Sequence, residues 1–434
     1  MKDFKTLLRK SCCLAASFLV LLPAFSKTEI SVEEMSGNLM AYPYLDNLPP
    51  AQTPPPESFV PFHMEHYGRH GSRWLIGQND YLIPVKNLEK AEKAGKLTPL
   101  GDSVLAILRD INSAAKGRYG ELTDVGALQH QAIGQRMALN YPDIFNGEGQ
   151  IDAKSTVVIR CILSMANALQ GIMGVAPDVN PVKDASYADM WFMNYDDKPA
   201  WVIKDSAENV YLQPYKEQLF ASDNYIDRLV SDPVFARDSV TPGLLPYLYW
   251  VLANVRSHSD QPFIIDKVFP AEELEANWRA NNAFWFVHGG NSSMTSGRMP
   301  YTQRKLLSRI IERTDSAITS SKPGANLRFG HDGILLNLVT LMELGDYGNP
   351  INSLNELDSS DWHEFDIIPM GGNLQLVFYR PVDSLDPDDV IVKALLNEQE
   401  IAMPGTPLYA PYYRWKELRD YYLSKINTFE ATGE

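Results

Sequence analysis

The chain has 434 residues, enough for two or three domains or for one large α/β domain carrying an insertion. A hydrophobic content of 45% with 21% charged residues is that of a globular protein with a substantial core. The formal net charge of −15 argues against nucleic acid as a partner, because so acidic a chain repels a phosphate backbone.

Residues 1–26 read as a targeting segment, a signal peptide. Lys2, Lys5, Arg9 and Lys10 form a basic start, and Ser11 to Phe25 is apolar but too short to span a bilayer. Ala24-Phe25-Ser26 sets small residues at the spacing for cleavage before Lys27. Cys12 and Cys13 precede the apolar stretch, whereas a lipid-modified cysteine would follow it, so no lipoprotein anchor is read. Cleavage removes four Lys/Arg and one Asp, taking the charge from −15 to −18. No later segment is apolar for long enough to anchor the chain, and a soluble periplasmic or secreted protein is expected. Cys161 is then the one cysteine left, so it has no intramolecular disulfide partner and reads as a packing residue.

Residues 27–56 contain Pro43, Pro49, Pro50, Pro54, Pro55 and Pro56 and predict an irregular surface lead-in. The apolar run from Phe59 to Tyr67 predicts a buried strand, with Gly68 bending the chain out of it. The loop Arg69-His70-Gly71-Ser72-Arg73 follows at the carboxyl end, where ligand sites form in open α/β sheets. Val104, Leu105, Leu108 and Ile111 recur at helical spacing behind Asp102 or Ser103 as N-cap. Thr123 caps a second helix that runs to about Asn140, before Pro142. Ser155 to Ile159 is a β-branched run that predicts a strand ending at Arg160, with a helix over Ser164 to Gly171. Asn326 to Phe329 predicts another strand, Gly330-His331-Asp332-Gly333 its loop and Ile334 to Leu344 its helix. Leu374 to Arg380 and Val390 to Leu396 are late strands. This alternation implies an α/β fold with a mostly parallel sheet flanked by helices.

Between residues 185 and 318 the alternation stops and helical runs rich in aromatics take over. The division expected is an α/β core of residues 57–184 and 319–434 with residues 185–318 inserted as a helical lid. Arg279, Arg298, Arg304, Lys305, Arg309 and Arg313 fall in this insertion. Most read as solvated helix faces, with one or two available to line a pocket for a multiply charged substrate.

Three strand ends thus offer Arg69, His70 and Arg73, then Arg160, then His331 and Asp332. Guanidinium groups grip phosphate oxygens in pairs. An imidazole among them can attack phosphorus, and an acid can protonate the departing alkoxide. That is an inventory for phosphoryl transfer without a metal, and no cofactor is expected.

The constellation resembles the histidine acid phosphatases, the branch of the histidine phosphatase superfamily that includes phytases and inositol polyphosphate phosphatases. The resemblance rests on Arg69-His70-Gly71-Ser72-Arg73, on Leu122-Thr123-Asp124-Val125-Gly126 with Gln129, on Ser155-Thr156 followed by Arg160 and Ser164, and on His331-Asp332. Order and spacing agree from about residue 57 to 380. It implies that His70 is the nucleophile and forms a phosphohistidine. It implies that Arg69, Arg73, Arg160 and His331 bind the phosphate, and that Asp332 gives a proton to the leaving oxygen. Since Asp332 must then be protonated when it acts, an acidic rate optimum is expected. Trp74-Leu75 stands where the family often has a proline. His331-Asp332-Gly333 is closer to the phytases and acid phosphatases than to the His-Ala-Glu typical of the inositol polyphosphate subgroup. Inositol phosphates, sugar phosphates and a broad range of phosphomonoesters all stay open as substrates. A phosphate-binding module without catalysis and a phosphotransferase or mutase are rival readings.

Other signals are weaker. His63 and His66, three apart on a strand, face opposite sides and do not form a shared metal site. His331-Asp332 also occurs in metal-dependent HD hydrolases, but those need further histidines on helices. His288 could touch substrate from the lid, although a packed or exposed histidine is the plainer reading. Gly147-Glu148-Gly149 lacks the third glycine of a dinucleotide loop, and no phosphate loop of the Walker type is present.

Overall fold

The structure, a computed structural model, describes residues 30–45, 47–258, 260–320 and 322–432. The targeting segment expected over residues 1–26 lies outside them. Eight strands form one sheet: β1 (Phe59–Arg69), β2 (Gln150–Ser155), β3 (Val182–Asp184), β4 (Gly324–Gly330), β5 (Asn373–Pro381), β6 (Ile391–Leu396), β7 (Gln399–Ile401) and β8 (Tyr413–Arg414). Their order is β3-β2-β4-β1-β5-β6-β7, with β8 also on β6. Met64 and Tyr67 in β1, with Leu327 and Phe329 in β4, are buried, as expected of strands covered on both faces.

The sheet has two halves. β3, β2, β4 and β1 run parallel, and β5, β6, β7 and β8 continue antiparallel from the other edge of β1. The α/β expectation holds, but "mostly parallel" describes the first half only. The late strands follow one another through links too short for a crossover helix, so antiparallel pairing is what they can reach. Asn397 and Glu398, both at positive φ, make the two-residue turn that joins β6 to β7.

The principal helices are α1 (Gln78–Lys93), α2 (Pro99–Ala115), α3 (Asp124–Asn140), α4 (Ile159–Val175), α5 (Lys198–Ala207), α6 (Leu245–Ala253), α7 (Ala271–Gly289), α8 (Arg304–Ile318), α9 (Asp332–Leu341) and α10 (Trp415–Thr432). Thr123 caps α3 as expected, its hydroxyl accepting from Gly126 N at 3.2 Å. α2 begins earlier than its apolar spacing suggests. Thr98 is its cap, with Pro99 at the first helical position and the Thr98 hydroxyl 3.0 Å from Gly101 N. The β-branched run at 155–159 is not a strand: β2 ends at Ser155 and Ile159 opens α4, which puts Arg160 in a helix's first turn. Pairing decides this, since the ladder between β2 and β4 runs out at Ser155 and Phe329. Gly68 does not bend the chain out of β1 either; it pairs with Phe329 on one side and Asn373 on the other.

No strand is found between residues 185 and 318 among the described residues. Leu88, Leu105 and Leu108 of α1 and α2 share an apolar cluster with Leu229, Leu248, Leu252 and Phe269, so helices from before and within that stretch pack as one layer. In the turn between β6 and β7, Glu398 is buried and accepts from Arg136 Nε at 2.8 Å and Nη2 at 2.6 Å, and from the Tyr42 hydroxyl at 2.8 Å. Arg136→Ala leaves that carboxylate with one donor, and a loss of about 3–5 kcal/mol in unfolding free energy is expected from denaturant titration.

Candidate functional site

The loop after β1 is held from all sides by hydrogen bonds. Arg69 N donates to Gly372 O at 2.8 Å and His70 N to Gly330 O at 3.0 Å, while His70 O accepts from Gly371 N at 3.0 Å. Gly71 N reaches the Ser164 hydroxyl of α4 at 3.1 Å. Ser72 N donates to Gln129 Oε1 at 2.8 Å, and Gln129 Nε2 returns a bond to the Ser72 hydroxyl at 3.0 Å. Ser72 O accepts from Thr123 N at 2.9 Å and from the Thr123 hydroxyl at 3.0 Å. Two glycines make the fit possible. A Cβ on Gly71 would lie 2.7 Å from Gly126 Cα, and one on Gly126 would lie 2.7 Å from Ser72 N. The separated motif residues Gly71, Thr123, Gly126, Gln129 and Ser164 are therefore parts of one contact.

Four cationic or imidazole groups converge on this loop's open side. His70 is 1% exposed, and its Nδ1 lies 2.9 Å from Gly71 O. A carbonyl can only accept, so Nδ1 carries the proton and Nε2 keeps its lone pair. Burial, then Arg69, Arg160 and Arg73, hold the imidazole well below its ordinary pKa, so it stays neutral in mild acid. Arg69 is fully buried, and its Nη1 donates to Asn38 O at 2.7 Å and to Ile368 O. Arg73 Nη1 donates to Trp74 O at 3.0 Å, and burial next to Arg69 lowers its guanidinium to about 10, still charged at any mild pH. Arg69 Nε, Arg73 Nε and Arg160 Nε are buried without a hydrogen-bond partner among the described residues. Those N–H groups suit an acceptor with several oxygens.

His331 and Asp332 start α9 at the carboxyl end of β4. The two imidazoles of His70 and His331 lie 6.1 Å apart, centroid to centroid. His331 Nε2 is 3.2 Å from the Thr156 hydroxyl, and its backbone N–H donates to the Tyr67 hydroxyl at 3.2 Å. Asp332 Oδ2 is 3.0 Å from Arg69 Nη2, with the side chain 20% exposed. Burial alone would raise the Asp332 carboxyl, but Arg69, Arg73, His331 and the Gly333 N–H outweigh it and hold the group below its ordinary value. Asp332 thus ionises more readily than an ordinary carboxyl. A bound phosphate that neutralises the arginines removes the main cause of that depression. A cavity of about 220 Å³ opens beside His331 and Asp332 and runs to Trp285, Trp201 and Met299.

All six residues singled out from the sequence (Arg69, His70, Arg73, Arg160, His331 and Asp332) meet in this one region. Other expectations are not gathered there. His63 pairs with Glu65 at 2.9 Å, and His66 packs on Phe329 with centroids 5.0 Å apart. Among the described residues no group of three or more His, Cys, Asp or Glu could hold a metal ion. The insertion's cations are engaged with partners: Arg279 with Asp358, Arg298 and Arg304 with Asp197, Arg309 with Glu312, Arg313 with Asp152, and Lys305 over the Tyr195 ring. They do not line the cavity. Lys204, which sequence reasoning passed over, does. Cys161 is buried, and burial pushes its thiol up to about 11. Sequence reasoning also missed His130, whose Nε2 holds Arg69 O at 3.1 Å, and Asn254, whose Nδ2 donates to Arg73 O at 3.0 Å. His130 follows Gln129 directly, which was a signal; the Asn38 and Ile368 carbonyls carry none, because any residue has one.

No protein-family model and no curated protein matches the chain. Solved structures do. The chain is similar to the multiple inositol polyphosphate phosphatase of Bifidobacterium longum in complex with phosphate, with a TM-score of 0.71 and 18% identity over 91% of this chain and 98% of that one. The phytase of D. castellii gives a TM-score of 0.67 with 15% identity over 91% and 85%. The phytase of Hafnia alvei gives 0.52 with 12% identity over 86% and 98%. The fold is that of these phosphatases.

Gly126→Ala tests the contact between the two loops. Forcing a methyl against Ser72 is expected to cost about 1–3 kcal/mol of stability. It should also weaken inorganic phosphate binding, read by calorimetric titration, by at least about tenfold, since a shift of order 1 Å at such a site carries a large penalty.

Proposed function

We propose that the chain is an exported phosphomonoesterase that works through a phosphohistidine at His70. The observation that carries the reading is a buried imidazole, its Nδ1 on the Gly71 carbonyl, near three guanidinium groups whose Nε–H donors have no hydrogen-bond partner among the described residues. Arg69, Arg73, Arg160 and His331 hold the nonbridging oxygens and spread their charge. Nε2 of His70 attacks phosphorus, the N–P bond forms, and the P–O bond to the alcohol breaks. The proton on Asp332 passes to the alcohol oxygen as it leaves. Water then attacks the phosphohistidine, gives its proton to the Asp332 carboxylate, and inorganic phosphate departs with His70 restored.

Export rests on the basic, apolar and small-residue pattern of residues 1–26. Among the described residues no helix is long and apolar enough to cross a membrane. The helical stretch of residues 185–318 supplies Trp201 and Lys204 to the cavity beside the acid and so faces the alcohol half of the substrate. Phytate, the ester that the name of the similar phytases brings in, and sugar phosphates are the first to assay.

Phosphate release at mildly acidic pH is expected to survive EDTA and to disappear in His70→Ala, with the protein still folded and still binding phosphate. Acid-labile, base-stable phosphate trapped on the native protein and absent from the variant checks the covalent step. Release abolished by EDTA would contradict the arginine-based mechanism.

The rate should fall as pH rises through the pKa of Asp332 in the substrate complex. The sign follows from its role, since the protonated form is the active one. Asp332→Asn is expected to lower kcat for an alkyl phosphate by about 10²–10⁴-fold. It should spare the first, phosphorylating turnover of 4-nitrophenyl phosphate, read as a burst of 4-nitrophenol whose departure needs no proton, while the later hydrolysis slows with loss of the base. An equal loss in that first turnover for both esters would rule Asp332 out as the acid.

A further inference from the structure

Resting on the phosphatase reading above, we infer that the alcohol half of the substrate is a single apolar ring, stacked beside Trp285, and not a polyanion. Position decides which half of the ester enters the cavity. The phosphate belongs with the arginines around His70, and Asp332 must reach the ester oxygen. The carbon side of that oxygen therefore leads into the space that begins at His331, Asp332 and Gly333 and continues past Trp285, Met299 and Ile334. Gly333 places the Trp285 ring next to the acid, since a Cβ there would meet the indole at an ordinary contact distance of 3.8 Å. The volume is about 220 Å³. An apolar cavity of ~150 Å³ already holds benzene, so one ring on a short linker fits.

Charge points the same way. Among the described residues that line the cavity, Lys204 is the cation, and it is already matched: Nζ lies 3.3 Å from Asp205 and 3.8 Å from Glu208. It also sits 4.3 Å over the Trp201 ring. Glu208 holds His288 Nε2 at 2.6 Å, and burial pushes that imidazole down to about 4, which leaves it neutral in mild acid. Asp197, buried in the wall, faces Arg304 at 2.7 Å and Arg298 at 3.6 Å. A ring bearing several further phosphates would need cations to spare, and here each is spent on a carboxylate. An aromatic ring needs none. It gains a stacked or edge contact with indole and removes apolar area from water.

The test compares kcat/KM for phosphate release from three unactivated esters: 2-phenylethyl phosphate, inositol 1-phosphate and inositol hexakisphosphate. The native protein is expected to prefer 2-phenylethyl phosphate over either inositol ester by at least about tenfold, the value of burying one ring. Trp285→Leu and Trp285→Ala, checked for folding by circular dichroism, should shrink that preference severalfold. Equal or faster turnover of either inositol ester by the native protein overturns the inference and leaves the His70 chemistry standing. So does an unchanged preference in a folded Trp285 variant. Release from none of the three esters, with no phosphate trapped on His70, would overturn the phosphatase reading itself.

Discussion

Like charges do not gather in a dry pocket unless something holds them there. Arg69, Arg73 and Arg160 crowd around an imidazole that is itself out of water, and every other feature of the site answers the cost of that crowding. The far side of Arg69 is spent on the Asn38 and Ile368 carbonyls, that of Arg73 on the Trp74 carbonyl, and Asp332 sets one negative charge beside Arg69. What is left over is a set of buried Nε–H groups with no hydrogen-bond partner among the described residues. A buried donor without an acceptor costs about 1–3 kcal/mol. An anion with several oxygens could satisfy several such donors together, which is the ground of the phosphate-binding reading proposed above.

Holding that arrangement needs a rigid loop, and rigidity comes from backbone touching backbone. Gly71 and Gly126 let two turns approach until a methyl group would no longer fit between them. Gln129, Thr123 and Ser164 then saturate the loop's own polar groups. The parallel half of the sheet brings the second half of the site to the same place, because β4 lies beside β1 and ends level with it. His331 and Asp332 follow from that register without any further device.

The site was readable in the sequence wherever a side chain carries the chemistry and a strand end carries the side chain. Arg69, His70, Arg73, His331 and Asp332 were of this kind. Arg160 was placed near the other five but in the wrong element, because Val157, Val158 and Ile159 look like a strand while the real one, Gln150–Ser155, alternates polar and apolar residues too weakly to stand out. The antiparallel half of the sheet was hidden for a different reason. Parallel and antiparallel strands have much the same composition, and only the Asn397-Glu398 turn betrays the difference. Pairing of Arg298 and Arg304 with Asp197, more than 100 positions away in the chain, had no local signal at all. Partners that distant become visible only when the fold is closed.

One contact of Arg69 reaches unusually far along the chain. Asn38, whose carbonyl accepts from it, belongs to a short helical strap, Glu34–Leu39, that precedes the whole sheet. The strap is tied down by the Tyr249 hydroxyl on Met35 O at 2.6 Å and by Met370 N on Met40 O at 2.9 Å. Gly37 at its middle rests against Glu364, a carboxyl that burial pushes up to about 8. A segment that precedes every strand can settle only after residues some 210 and 330 positions later have taken their places. The Arg69 guanidinium is therefore not fixed until the chain as far as Met370 has folded, and a partly folded molecule lacks a finished arginine cluster.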